Sequence, residues 1–279
     1  MGNISEIMHS THHSKGSFII KISKDLYIDI RTGEVKRFKH TETRAQNLSS
    51  VAKSLQSGRD LINTNVTYVS KCRWLTLTYA KNIQDPNKLY NDFKNFNRRC
   101  RQIFGHYEYI TCAEPQGRGA WHLHAILIFE SKAPFMENSV VADCWKQGFV
   151  TVKSLDNIDD VGAYLTAYLG DVELSEALEL NLYIKNKKIK IVESIDDDGI
   201  KQTKRYVKNA RLQMYPTGFH IFRHSKGIKQ PTVSHVPYKR AKEKVSSSKL
   251  TFSQSIELED IESDFKFTIT HEYYNSIRH

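Results

Sequence analysis

The sequence predicts an α+β fold on three observations. Apolar residues alternate with a period of two in several short runs, they recur at helical spacing in others, and a glycine-bearing link joins two of the β-rich runs. Residues 1–16 are polar, with His9, His12 and His13 among Ser and Thr, and are expected to be disordered. Ser17 to Arg37 alternates (Phe18, Ile20, Ile22, then Leu26, Ile28, Ile30) and closes on Thr32-Gly33, which reads as two or three short strands. From Thr43 to Asn63 the residues Leu48, Val51, Leu55, Leu61 and Ile62 fall on one helical face, with basic residues between them. Lys71 to Tyr79 reads as a strand. Asp85-Pro86 then opens a helix, because proline suits the first turn, and its stripe of Leu89, Phe93, Phe96, Cys100 and Ile103 runs to Phe104. Lys94, Arg98, Arg99 and Arg101 on that helix read first as a solvated face and second as a surface for DNA.

Two strands follow, Tyr107 to Glu114 and Trp121 to Phe129. The link between them, residues 115–120, holds Gly117 and Gly119 and argues for a hairpin. Helices are predicted over 136–145 and 157–169, with a short strand over 149–152 between them. Further strands are predicted near 182–191 and 204–214, separated by an acidic turn, Glu193 to Gly199. Beyond Pro231 the chain turns polar, first basic and then acidic, and is expected to be a polar tail over 233–279.

Composition narrows the class. Lys and Arg number 41 against 31 Asp and Glu, a formal charge of +10, which favours a polyanionic partner through counterion release. The longest apolar run, Ala125 to Phe129, is far short of the roughly 18 residues of a membrane span, so a cytoplasmic protein is expected. Cys72, Cys100, Cys112 and Cys144 show no C-x-x-C spacing and read as buried, reduced thiols.

Two constellations carry chemistry. His122-Leu123-His124 places both imidazoles on one face of a strand, with Leu123 and Ala125 on the other. An isolated H-x-H is common by chance. Glu114, however, ends the preceding strand, where a hairpin would set its carboxylate opposite the histidines. Two imidazoles and one carboxylate leave open positions for substrate, as a catalytic metal site requires, and suit Mg or Mn. Tyr164 and Tyr168 stand four apart on one helical face; such a pair usually packs, but it can also present phenols as nucleophiles to a metal-polarised phosphodiester.

The segment from Glu114 through Arg118-Gly119-Ala120-Trp121-His122-Leu123-His124-Ala125-Ile126-Leu127 resembles the metal motif of the HUH endonucleases, specifically the rolling-circle replication initiators of plasmids and small phages. Trp74 to Tyr79 resembles their first motif. Trp145, Gly148, Phe149 and Val150, then Tyr164 to Tyr168, resemble the approach to the tyrosine helix, and the match runs over residues 45–230. The resemblance implies an antiparallel sheet with a central histidine strand and helices packed on one side, a ferredoxin-like or RRM-like core. Residues 71–232 are expected to form the endonuclease, with residues 17–70 adding strands and a basic helix to it. It implies metal at Glu114, His122 and His124, attack by Tyr164 or Tyr168, a 5′-phosphotyrosine and a free 3′-OH that primes synthesis. The implied partners are single-stranded or hairpin origin DNA and a host helicase and polymerase, with no nucleotide cofactor and no membrane. The chain departs from the family at one point. A lysine commonly follows a tyrosine by three residues, and here those positions hold Ala167 and Asp171; Lys153, Lys185 and the Lys187-Lys188 pair are the replacements the sequence offers. The alternatives are a related transposase or relaxase, or a DNA-binding protein on the same fold without nicking. A histidine-triad hydrolase would need a further histidine at position 126, which is Ile126.

Overall fold

The computed structural model describes residues 3–11, 18–40, 48–155, 158, 160–185, 188–195, 201–216, 218–260 and 265–277. They form two compact units, one of residues 42–231 and one of residues 3–41 with 232–279. In the smaller unit β1 (Ile4–Ser10) pairs antiparallel with β14 (Phe265–Asn275), which pairs in turn with β13 (Lys249–Asp260). Strands β2 (Ile19–Lys21), β3 (Leu26–Asp29) and β4 (Val35–Arg37) make a separate antiparallel meander. A short helix, α6 (Tyr238–Lys244), brings Tyr238 and Ala241 against Ile7, Val245 and Tyr274.

This arrangement corrects the reading of both chain ends. Residues 4–10 form a strand where disorder was expected, and the tail over 233–279 holds two long strands and a helix; residues 12–16 lie outside the described residues. Polar composition misleads here because the polar groups satisfy one another. Lys242 lies 3.0 Å from Glu272, and the Tyr273 hydroxyl donates to Glu6 at 2.8 Å. The segment 17–70 also divides: its short strands belong to the smaller unit, and only its helix joins residues 71–231.

In the larger unit a five-stranded sheet has the order β12-β6-β7-β5-β8, from β5 (Cys72–Thr78), β6 (Glu108–Pro115), β7 (Trp121–Ile128), β8 (Val150–Lys153) and β12 (Phe222–His224). Every pairing in it is antiparallel. The histidine strand β7 sits in the middle, as the resemblance implied. Its two faces divide cleanly: Trp121, Leu123, Ala125 and Leu127 on one, His122, His124 and Ile126 on the other.

Helices cover both faces rather than one. Helix α2 (Pro86–Phe104) starts where proline predicted it, with the Asp85 side chain accepting from the Asn87 N–H at 2.9 Å, a cap that contributes about 1 kcal/mol. Its Phe93 meets Tyr109 edge-on, and Tyr109 is paired with Leu127, so α2 lies on the leucine face. There Phe96 also contacts Trp145 of α3 (Asn138–Trp145). The basic run on α2 is partly internal: Arg99 donates to the Cys144 carbonyl and Arg101 to that of Tyr107. Helix α1 (Leu48–Asn65) lies on the histidine face. Phe222 is in register with Cys112, itself in register with His124, and a Cβ built on Gly58 would stand 2.3 Å from the Phe222 ring. Against α1 packs α4 (Val161–Gly170), joined by Asn63, whose amide donates to Asp160 and accepts from the Gly162 N–H. A sheet with helices on only one side would leave either Leu123 and Leu127 or Ile126 in water, and burying them on both sides stabilises each by about 1.5–3 kcal/mol.

After α4 come β9 (Val172–Glu173) and α5 (Leu174–Glu179). Strands β10 (Ile189–Ile195) and β11 (Lys201–Val207) then form a small sheet of order β10-β11-β9. Arg211–Met214 is one turn of 3-10 helix where a strand was expected. All four cysteines are buried free thiols, as the spacing suggested. No helix among the described residues is long and apolar enough to cross a membrane.

Candidate metal centre

The hairpin β6–β7 brings the predicted ligands together. Gln116 N–H donates to the Ala120 carbonyl and Gly119 N–H to that of Gln116, each at 2.8 Å, closing the link. Gly119 takes φ +85°, a backbone region that glycine enters without strain, and its bare Cα leaves room for the Gln84 amide. This turn fixes a register in which Glu114 stands opposite His122 and Cys112 opposite His124. Directly opposed residues share a face, so carboxylate and imidazoles converge. Their ligand atoms all lie within 4.8 Å of one another, and the group could hold a metal ion.

Each ring is oriented by a neighbour. The His124 ring lies flat on Trp74 at 5.0 Å, with Nδ1 3.1 Å from the Thr76 hydroxyl and Nε2 2.6 Å from Glu114 Oε2. Gln116 Nε2 is 3.2 Å from His122 Nδ1, while His122 Nε2 and Gln116 Oε1 are buried with no hydrogen-bond partner among the described residues. A half-turn of the Gln116 amide lets Oε1 accept from Nδ1–H. His122 then carries its proton on Nδ1 and offers Nε2 as a lone pair, the usual pattern of metal-ligating histidines, whereas His124 Nε2 is hydrogen-bonded to Glu114 and would give up that proton when an ion takes its place. A buried imidazole nitrogen without a partner costs about 1–3 kcal/mol, which ligation removes. The donor set therefore fits a divalent ion.

Protonation agrees with that role. Burial alone would raise the Glu114 carboxyl, but the hydrogen bond with His124 and the charge of Arg211 outweigh it, and its pKa lies below the ordinary carboxylate value. Burial pushes the His122 imidazole down to about 4. Both groups are thus ready to bind a cation at neutral pH. A stability effect follows. Between about pH 6.5 and about pH 4 the unfolded chain protonates His122 and the fold does not, so the unfolded state binds more protons and stability falls as pH falls. The loss is complete near pH 4 and on the order of 3 kcal/mol. Melting temperatures of metal-free protein should drop across this window, and His122→Gln should flatten that part of the profile.

One residue of the centre escaped the sequence reading. Arg211, buried in the 3-10 turn, has Nη1 3.1 Å from Glu114 Oε1 and donates from it to the Pro115 carbonyl, while Nε donates to the Asp171 carbonyl just past α4. Glu114 thus gives one oxygen to Arg211 and keeps Oε2 toward the imidazoles. Nothing local in the sequence marks Arg211, which lies 97 positions from Glu114 by their numbers.

The tyrosines are placed less completely. Helix α4 buries Val161, Leu165 and Leu169, and Tyr164 lies outside that stripe, 40% exposed. The side chain of Tyr168 lies outside the described residues, as does Lys187. The end of α4 is tied to the hairpin by Tyr215, whose buried hydroxyl lies 2.9 Å from the Ala113 carbonyl and 3.4 Å from that of Leu169. The phenol-bearing helix is thereby anchored beside the strand that carries Glu114.

A mixed α+β chain, whose central antiparallel strand carries two imidazoles opposite a carboxylate in a group able to hold a metal ion, is the class that fold and site define. Residues 72–173 match the family described as Replication-associated protein ORF2/G2P. That segment is less than half of the chain, runs from β5 to β9, and contains all three grouped residues and α4. Its similarity is consistent with a rolling-circle replication protein and supports a role in replication initiation. No curated protein and no solved structure matches the chain.

Proposed function

We propose that this chain is a rolling-circle replication initiator that nicks and rejoins single-stranded origin DNA through a tyrosine. The observation that carries the reading is the convergence of Glu114, His122 and His124 on the central strand, inside the segment similar to replication-associated proteins. In this reading those three side chains hold a divalent cation, Mg or Mn, which when bound supplies positive charge to the scissile phosphate. Thr76 and Gln116 set the imidazoles, and Arg211 sets the carboxylate. Tyr164 or Tyr168 supplies the nucleophile. Its phenolic oxygen bonds to phosphorus as the bond from phosphorus to the 3′ oxygen breaks, and the phenol proton ends on the leaving oxygen. The products are a free 3′-OH and a 5′-phosphate held on tyrosine. Water is not consumed, so the bond energy stays available for rejoining. Origin DNA, single-stranded or folded as a hairpin, is the substrate, and a host helicase and polymerase would extend the exposed end.

Ala167 and Asp171, standing where a lysine is common, favour a second reading: a DNA-binding protein that does not nick. One assay separates the two. Purified protein is incubated with single-stranded oligonucleotides from the gene's own flanking sequence and Mn, then run on a denaturing gel. A covalent protein–DNA band that EDTA prevents supports nicking. Retention of the oligonucleotide on a native gel with no covalent band supports the second reading.

A further inference from the structure

Beyond the metal centre, the larger unit carries an open groove of about 640 Å³ between α1 and the edge strand β12. Lys53, Ser54 and Ser57 line it from the helix, and His220, Phe222 and His224 from the sheet side. Among the described residues no Asp or Glu lines it. That absence is informative in a chain with 31 acidic residues, because an ordinary solvated helix face mixes both signs. The acidic residue of α1, Asp60, is not among the residues that line the groove, and it accepts from Gln56 at 2.8 Å. The groove also has a definite place. Its floor residue Phe222 is in register with Cys112, and Cys112 with His124, so it opens on the same face of the sheet as the histidines. Two strand spacings separate the two, about 10 Å.

We infer that this groove binds the phosphate backbone of single-stranded DNA flanking the cut site, with Lys53 as its principal cation. The inference rests on the proposed nicking only for the identity of the strand; hydroxyls, imidazoles and an ammonium without a carboxylate suit a polyanion in any case. Such contacts need no metal and no tyrosine. They add affinity and register, not chemistry.

The test is fluorescence anisotropy of the full chain with 5′-fluorescein oligo(dT) of 20 nucleotides in EDTA. Lys53→Glu should weaken binding about tenfold or more. Lys94→Glu, the same charge change on exposed α2 across the sheet, should stay within about threefold of the parent. Lys53→Gln should bind more weakly and lower the slope of log affinity against log salt by about one; it also serves if the glutamate variant does not fold. A 5-iodouracil strand should photocrosslink to peptides containing His220 to His224. Equal losses for Lys53→Glu and Lys94→Glu, or an unchanged Lys53→Gln, would overturn the groove. A protein that nicks with Lys53 variants binding normally sinks this inference alone. One that forms no adduct yet binds through Lys53 sinks the nicking alone.

Discussion

His122→Ala should lower Mn affinity about 100-fold or more while leaving the fold of the metal-free protein intact. The size follows from removing one of three protein ligands, since loss of even an outer-shell partner costs about 10–100-fold. The separation of binding from folding follows from the partners. His124 is 8% exposed, stacks on Trp74 and pairs with Glu114 and Thr76, so truncating it strips several groups at once. Among the described residues His122 has one hydrogen-bond partner, Gln116, and a buried Nε2 without one. Replacing it removes a burdened group as well as a side chain, and the two effects oppose one another. Calorimetric titration with Mn, beside melting curves in EDTA, reads both. Parental affinity in the alanine variant would remove His122 from the ligand set and with it the proposed centre.

Tyr164→Phe combined with Tyr168→Phe should abolish the covalent DNA adduct, a loss beyond about 10³-fold, with Mn affinity unchanged. Attack through carbon is impossible, and phenylalanine keeps the ring. At Tyr164, 40% exposed, the lost hydroxyl is a surface change that should move stability by no more than about 0.5 kcal/mol. The single variants assign the roles. If one phenol attacks, its variant alone loses the adduct; if the two exchange the DNA end, each single variant cuts and only rejoining suffers. Denaturing gels with labelled oligonucleotide, with and without a second acceptor strand, separate cutting from joining. An adduct that persists in the double variant would clear both phenols.

Much of this was legible in the amino acids because it is local. β-rich runs marked β5, β6 and β7, Asp85-Pro86 located the start of α2 to the residue, and a glycine-bearing link announced the hairpin that sets Glu114 opposite His122. The grouping of the three ligands needed only that register. What stayed hidden is non-local. The sheet of the smaller unit joins residues 4–10 to residues 265–275, and no window shorter than the chain contains both. Strand β14 does carry a period-two signal, Phe265, Phe267 and Ile269 against Lys266, Thr268 and Thr270, but the acidic run before it gives the segment the composition of a solvated tail. The 3-10 turn of Arg211 looked like a strand because Tyr206, Val207 and Leu212 extend an apolar pattern that the chain breaks at Asn209, where φ is +58°.

Arg211 has a mechanical meaning as well as an electrostatic one. Through a single guanidinium it grips the hairpin at Glu114 and Pro115 and the chain at Asp171, where α4 ends. Carboxylate and phenol-bearing helix are in effect riveted to the same plate. In the proposed reading, a pull on a DNA end held by that helix would load this rivet before it could spread the two halves apart.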